Sequence, residues 1–444
     1  MPIWYKLCNN LSLVRQVLCF LCSLDAAEPL IRARIIQQNT AYFHLASGFA
    51  KKYARGPFHI SYPPEIDLSI LPPSIVDIPL ITNTIAVIWL SGNEYTIEEM
   101  DEDLYYSLIK IKAFFKRFFY NTTWDGELRP ARLIKNQLPN VSYSSASLFT
   151  GGLDSTTTVL RHFEENPTLI SFNSPHVTAV EFANRHKLDF HTIYMNYESF
   201  LKLTYLDRVS CDISKWFWDT SMGLSWVGAA TPFLYAKNIP VLYIPSGFTW
   251  QSFLFPDGQT LTQPASPLID ENLSPAGLRV KHDVFTMTRT DKIQFISTFC
   301  TQHALLKPKL IVCNHHATTD ISYSHCNRCM KCLFTMLDIL AIGEHLSDYG
   351  FTLSEETFTS QFQTYLANVK MRRGGTFVAC RDTQQHVKQH LETLPQTHRL
   401  FFDWLISVDL YSMLEKSSNR PPRLSPFRWE DYKDFASFAD PMLP

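Results

Sequence analysis

Charge is scarce in this sequence. Asp, Glu, Lys and Arg make up only 18% of its 444 residues, against roughly 25% in ordinary globular domains. The two signs nearly cancel as well, with 40 Lys and Arg against 42 Asp and Glu. The basic excess of a dedicated nucleic-acid binder is therefore missing, and nucleic acid is not the expected partner, although a local basic patch can still hold an anion. A membrane span is missing too. The apolar stretch VRQVLCFLCSL (14–24) falls short of the roughly 20 residues that cross a bilayer. A single Lys precedes it and no small-residue cleavage site follows, so it reads as a buried helix or strand. No membrane association is expected, and the expected location is cytoplasmic. The chain also lacks internal repeats and low-complexity tracts.

Apolar residues, by contrast, are plentiful at 45%, with 32 Phe, 19 Tyr and 9 Trp. That supports a sizeable core, and the length suits two or three domains. Ten cysteines are unevenly placed, four of them within 313–332. Such clustering fits a metal site in a reducing compartment better than a disulfide framework.

Three regions follow from the hydrophobic rhythm. Residues 1–140 form a mixed α/β extension with proline punctuation at SYPPEIDLSILPPSIVDIP (61–79). NTIAVIWL (83–90) predicts a strand, and DLYYSLIKIKAFFKRFFY (103–120) predicts a helix with Leu104, Leu108, Ile111, Phe115 and Phe118 on one face. Lys110, Lys112, Lys116 and Arg117 then occupy its solvated face. Residues 141–345 alternate strand and helix: SASLF, TLISFN, FHTIYMN and PVLYIPSG are strand-like, while TTVLRHFEEN, HVTAVEFANRHK and MGLSWVGAATPFLYAKN are helical. This alternation predicts an α/β fold, a parallel sheet with helices on both faces. Residues 346–444 read as a helical C-terminal extension with an aromatic stretch at LFFDWLISVDLYSML (400–414).

The densest chemistry lies in SLFTGGLDSTTTVL (147–160). A strand that ends in Gly151-Gly152 and enters a helix leaves backbone N–H groups unobstructed at the positive end of the helix dipole, which is an anion seat. Thr150, Ser155 and Thr156 add hydroxyl donors. Asp154 suits a helix cap or a ligand for a Mg²⁺ that bridges phosphates. The lysine of a Walker loop and the third glycine of a dinucleotide fingerprint are both absent. A plain strand-to-helix turn is the competing reading.

A second cluster is KLIVCNHHATTDISYSHCNRCMKCLF (309–334), with Cys313, Cys326, Cys329 and Cys332 spaced C-x12-C-x2-C-x2-C. Zn²⁺ takes four soft ligands tetrahedrally, and two-residue gaps let neighbouring thiolates converge on one ion. His315, His316 and His325 are available as substitutes for one thiol. The alternative is a helix that buries three cysteines. Cys211, Cys300 and Cys380 read as buried, inert thiols.

TGGLDSTT (150–157) resembles the S-G-G-x-D-S loop of the PP-loop, or N-type, ATP pyrophosphatases, with Thr150 in place of the usual Ser. Members bind ATP and Mg²⁺, adenylate an oxygen of the substrate, release pyrophosphate and let a nucleophile displace AMP. The resemblance implies a Rossmann-like adenine nucleotide alpha hydrolase fold with Thr150, Gly151, Gly152, Leu153, Asp154, Ser155 and Thr156 around the pyrophosphate. The late four-cysteine cluster followed by a helix resembles the 7-cyano-7-deazaguanine synthase (QueC) branch. Two departures stand out: the gap after the first Cys is longer, and FNSPH (172–176) replaces a tyrosine-containing segment. Phe172 joins the nucleotide-binding set there, with Ser246 and Gly247 of IPSG (244–247) at a strand end. TMTRTDKI (286–293) resembles the family's Thr-Lys helix start with Arg289 at the Lys position. Arg289 or Lys292 then neutralises the leaving pyrophosphate, and Asp270 is a candidate to orient an amine.

The resemblance covers roughly 145–345. Long QueC-like chains with such flanks resemble components of bacterial anti-phage operons, namely the Qat system and a cyclic-nucleotide (CBASS) class. That implies transfer of a 7-carboxy-7-deazaguanine-type acyl group to an amine, either ammonia or the N-terminus of a protein partner from the same operon. ATP, Mg²⁺ and Zn²⁺ are the implied cofactors. An RNA-thiolating PP-loop enzyme, with sulfur on Cys329 or Cys332, and a non-catalytic ATP-binding scaffold are the alternatives. A glutaminase half is disfavoured, because Pro2 follows Met1 and the first Cys stands at position 8.

Overall fold

A computed structural model describes residues 27–119, 121–138, 144–173, 175–210, 213, 215–247, 249, 260–261, 266–313, 325–369, 371, 375–414 and 424–425. The apolar stretch 14–24, Cys211, His315 and His316 lie outside the described residues.

The fold is α/β. The first region supplies β1 (Glu28–Pro29), β2 (Ile31–Gln37), β3 (Thr40–Leu45), α1 (Ser47–Tyr53), β4 (Phe58–Ser61), α2 (Ile78–Ser91), β5 (Glu94–Asp101), α3 (Glu102–Phe118) and β6 (Glu127–Ile134). Next come β7 (Ser145–Leu148), α4 (Leu153–Arg161), β8 (Thr168–Phe172), α5 (Val177–His186), β9 (Phe190–Met195), α6 (Met222–Ala236), β10 (Val241–Pro245), β11 (Arg279–Asp283) and α7 (Arg289–Gln302). The chain then continues through α8 (Met330–Ala341), α9 (Glu355–Asn368), α10 (Gly375–His390) and α11 (Gln396–Ser407). A two-residue antiparallel pair joins Thr260–Leu261 to Leu424–Ser425.

The main sheet has eight strands in the order β11-β10-β7-β8-β9-β4-β3-β2. Its first five strands are parallel. β9, β4, β3 and β2 then pair antiparallel, so the N-terminal region continues the same sheet. A separate parallel sheet runs β1-β5-β6. Alternating side chains feed two cores: in β8, Ile170 packs into a cluster with α2, α3 and α6, while Leu169 packs into one with α4, α7, α8 and the C-terminal helices. Within the parallel strands the order reverses between β7 and β10. Their connections therefore leave in opposite directions, and the carboxyl ends part into a crevice of the kind that holds ligands in open parallel sheets.

One expectation is overturned. Residues 83–90 do not form a strand; they lie within helix α2, with Pro79 in its first turn and Gly92 as a left-handed cap. Twelve of its 14 residues are buried, so the helix has no polar face and its sequence shows no helical period. α3 matches its expected apolar face, with Asp101 capping through the Leu104 amide. Lys110, Lys116 and Arg117 are exposed as expected, whereas Lys112 is half-buried and donates to the Gly126 carbonyl at 2.7 Å.

Candidate functional site

The carboxyl end of β7 carries the glycine turn. Gly151 has φ +73°, and a Cβ there would lie 2.6 Å from Ile311 Cδ1. The position thus requires glycine both for its backbone and for space. Its carbonyl accepts from the Ile311 amide at 2.8 Å, which pins the turn to the segment leading to Cys313. Ser155 Oγ accepts from the Thr150 amide at 3.3 Å and lies 3.3 Å from Thr150 Oγ1. Ser155 and Thr156 are buried beneath the turn, while Thr150 is exposed.

Gly152 is the N-cap of α4, and among the described residues no side chain caps the helix. The helix start therefore presents first-turn amides and its positive dipole end toward the crevice. Asp154 does not serve as the cap. Its Oδ1 accepts instead from Lys292 Nζ at 2.7 Å.

Lys292 is set by the start of α7. There Thr288 Oγ1 accepts from the Asp291 amide at 3.1 Å and Asp291 Oδ2 accepts from the Thr288 amide at 2.8 Å, a capping box that fixes the first turn. The Lys292 side chain is 1% exposed, that of Asp154 30%. Lys292 Nζ also donates to the Ser246 carbonyl. Burial pushes the Lys292 ammonium below its ordinary range, with Asp154 opposing. Burial pushes the Asp154 carboxyl up, but Lys292 and Arg289 outweigh it and leave Asp154 below the usual carboxylate range. A Cβ on Gly247 would stand 3.9 Å from Asp154 Oδ2, so Gly247 leaves open space beside that oxygen.

Arg289 is held by α8. Its Nη2 donates to Thr335 Oγ1 at 2.7 Å and its Nε to Asp338 Oδ2 at 3.3 Å. Asp338 also accepts from Thr290 and Thr383, each at 2.9 Å. Burial pushes the Asp338 carboxyl up to about 6 against these donors. A narrow crevice lined by Gly247, Thr249, Arg289, Thr290, Asp338 and Asp382 lies beside this group. The threonines and Asp338 escaped the sequence reading, because Thr383 comes from the C-terminal helices and nothing in its surroundings marks a site. Phe172 sits half-buried at the end of β8, against the first core. Asp270 is fully buried and bonded to His282 at 2.9 Å, so it meets a protein side chain rather than an open cleft.

The four cysteines converge. Their sulfurs all lie within 4.8 Å of one another, with Cys329–Cys332 at 3.5 Å, Cys326–Cys332 at 3.9 Å and Cys313–Cys329 at 4.0 Å. A tetrahedral ion with Zn–S bonds of about 2.3 Å spaces its sulfurs roughly 3.8 Å apart. The donor set therefore suits a metal such as zinc. Amides of Cys329 and Cys326 donate to Cys326 and Cys313 sulfur at 3.3 and 3.5 Å, which favours thiolate. The cluster is not a helix face, since α8 starts only at Met330. His325 does not replace a thiol: its ring nitrogens lie 3.0 Å from the Gly350 carbonyl and 2.8 Å from that of Leu310. Cys300 and Cys380 are buried, and burial pushes both thiols up, as inert core cysteines require.

No family model matches the sequence, and neither a curated protein nor a solved structure matches it. Among the described residues no helix is long and apolar enough to cross a membrane.

Proposed function

We propose that the chain is an ATP-dependent, zinc-containing enzyme of the PP-loop kind. In this reading it adenylates a carboxylate of the 7-carboxy-7-deazaguanine class, releases pyrophosphate and passes the acyl group to an amine. One observation carries it: a glycine-opened, uncapped helix start stands over a buried Lys292–Asp154 pair at the point where the strand order reverses. Main-chain amides of the α4 start would receive the phosphate oxygens, with the Thr150 hydroxyl beside them. Lys292 offsets charge that develops on the departing pyrophosphate, and being fixed beforehand it needs no rearrangement during the reaction. Arg289, anchored on Thr335 and Asp338, adds a second cation at the rim. Asp154 would hold Mg²⁺, which supplies charge neutralisation across the phosphates. Thr150, Gly151, Gly152, Leu153, Ser155 and Thr156 shape the seat, Gly247 leaves it open, and Phe172 flanks it from β8. The cysteine cluster would hold zinc in a structural role, bracing the segment that grips Gly151.

The test is pyrophosphate release from ATP, Mg²⁺ and 7-carboxy-7-deazaguanine, which Asp154→Ala should abolish. Nucleotide binding without release, under ammonia or any peptide acceptor, would favour the scaffold reading. The thiolation reading needs a free, sulfur-carrying cysteine, and the mutual closeness of all four sulfurs speaks for occupied ligands. Intact-mass analysis of neighbouring proteins co-expressed with this chain would reveal a protein acceptor by its mass increment.

A further inference from the structure

Ser246 makes two connections. Its carbonyl accepts from Lys292, and its hydroxyl lies 2.9 Å from Nε2 of His282. Nδ1 of the same imidazole lies 2.9 Å from Asp270 Oδ2. The three side chains come from separate elements: Ser246 follows β10, His282 lies on β11, and Asp270 ends the short helix Pro267–Asp270. The β10–β11 register sets Ile244 opposite His282, and the Ser246 amide donates to the Asp283 carbonyl at 3.0 Å. Ser246, two residues beyond Ile244, therefore faces the imidazole on the same side of the sheet.

All three residues are buried, at 2%, 7% and 0% exposure for Ser246, His282 and Asp270. Room for the carboxylate comes from Gly223 of α6, where a Cβ would come 2.0 Å from Asp270 Oδ1. That oxygen has no hydrogen-bond partner among the described residues. A bare buried carboxylate oxygen costs free energy. With Nδ1 donating to the Asp270 carboxylate, Nε2 is the ring nitrogen that accepts from the serine hydroxyl.

We propose that Asp270, His282 and Ser246 form a proton relay that takes up the proton released when the amine attacks the acyl adenylate. This rests on the ATP-dependent reading above. The amine nitrogen bonds to the acyl carbon, and the carbon–oxygen bond to AMP breaks, its electron pair leaving on the AMP phosphate. The proton lost by the amine passes to Ser246 Oγ as the serine's own proton moves to His282 Nε2. Asp270 holds the resulting imidazolium until it returns the proton to solvent. Ser246 adjoins Gly247, which opens onto Asp154, so the relay ends beside the phosphate seat. His282 and Asp270 are positioning residues in this scheme. Among the described residues, the other titratable groups around His282 are Glu271, whose Oε1 accepts its amide at 2.9 Å, and Lys292 beyond Ser246. Lys281 and Asp283 flank it on the opposite face of β11.

The experiment uses the full chain with ATP, Mg²⁺ and 7-carboxy-7-deazaguanine. Exchange of labelled pyrophosphate into ATP reads adenylation; product formed with ammonium or triglycine reads transfer. In His282→Gln and Asp270→Asn the ratio of transfer to exchange should fall about 100-fold or more. Both rates falling by one factor would reduce the trio to a structural contact and overturn the relay. So would variants whose transfer keeps its wild-type rate, or a wild-type chain that exchanges pyrophosphate but transfers to neither amine. Exchange read on the same preparation corrects for misfolded protein, and Asp270→Asn preserves shape if His282→Gln does not fold. A wild-type chain without exchange would instead sink the ATP reading itself, and the relay with it.

Discussion

Lys292 lies wholly inside the protein, whereas Asp154, its partner at 2.7 Å, keeps 30% of its side chain open. The two halves of this pair are therefore unequal. Removing Asp154 strands a buried ammonium, while removing Lys292 frees a carboxylate that can reach water. Asp154→Ala should cost roughly 3 kcal/mol, the low end for stripping one member of a buried pair. Lys292→Met should cost about 1 kcal/mol or less, as for a partner that can rehydrate. Urea unfolding measures both, and equal losses would contradict the asymmetry.

The glycines should separate stability from binding. Gly151→Ala forces a side chain into the left-handed region and against Ile311, and should cost at least about 1–2 kcal/mol. Among the described residues Gly247→Ala meets nothing closer than Asp154 Oδ2 at 3.9 Å, so stability should stay within about 0.5 kcal/mol. Its methyl group would occupy the space beside Asp154 Oδ2; under the proposed reading, affinity for ATP–Mg²⁺ by calorimetry should fall by about tenfold, or roughly 1.4 kcal/mol.

Metal and turn are linked through two residues, since Ile311 bonds to Gly151 and Cys313 follows. Purified protein should carry one zinc per chain. Chelation, or Cys332→Ser, should speed hydrogen exchange at the Ile311 amide and lower the melting temperature. Unaltered exchange at Ile311 after metal loss would disconnect the two sites.

Asp338 gives the pH dependence a definite sign. Its folded carboxyl is pushed up to about 6 by burial, above the roughly 3.9 of an unfolded Asp. Between those values the folded protein holds a proton that the unfolded chain has released. Stability from this group is thus full below about pH 4 and is lost as pH rises through about 6. Asp338→Asn should flatten that slope between pH 4 and 7, as read by urea midpoints. The wild-type slope surviving in the variant would assign it to another group.

Much of the architecture could be read from the residues, because strands and amphipathic helices write their own periods. The strands at 145–148, 168–172, 190–195 and 241–245, the helix on Asp101 and the glycine turn are cases of this. Residues 83–90 read as a strand because a helix buried on nearly all sides has no period, and the Ile, Val and Thr of α2 favour strands. The cysteines were legible from spacing, and Lys292 from its place in a helix start. The Arg289–Asp338–Thr383 contacts and the Ser246–His282–Asp270 line were not. Each joins residues far apart in sequence, and only the register of β10 with β11 and the folding back of α10 bring them together.

The antiparallel seam between β4 and β9 has a practical corollary. Excising 141–345 on its own would bare the flank of β9, leaving Ile193 and Met195 without the cover of Phe58 and Ile60. Naked ladder amides of that sort recruit other copies. A fragment that drops the first sixty residues should therefore precipitate.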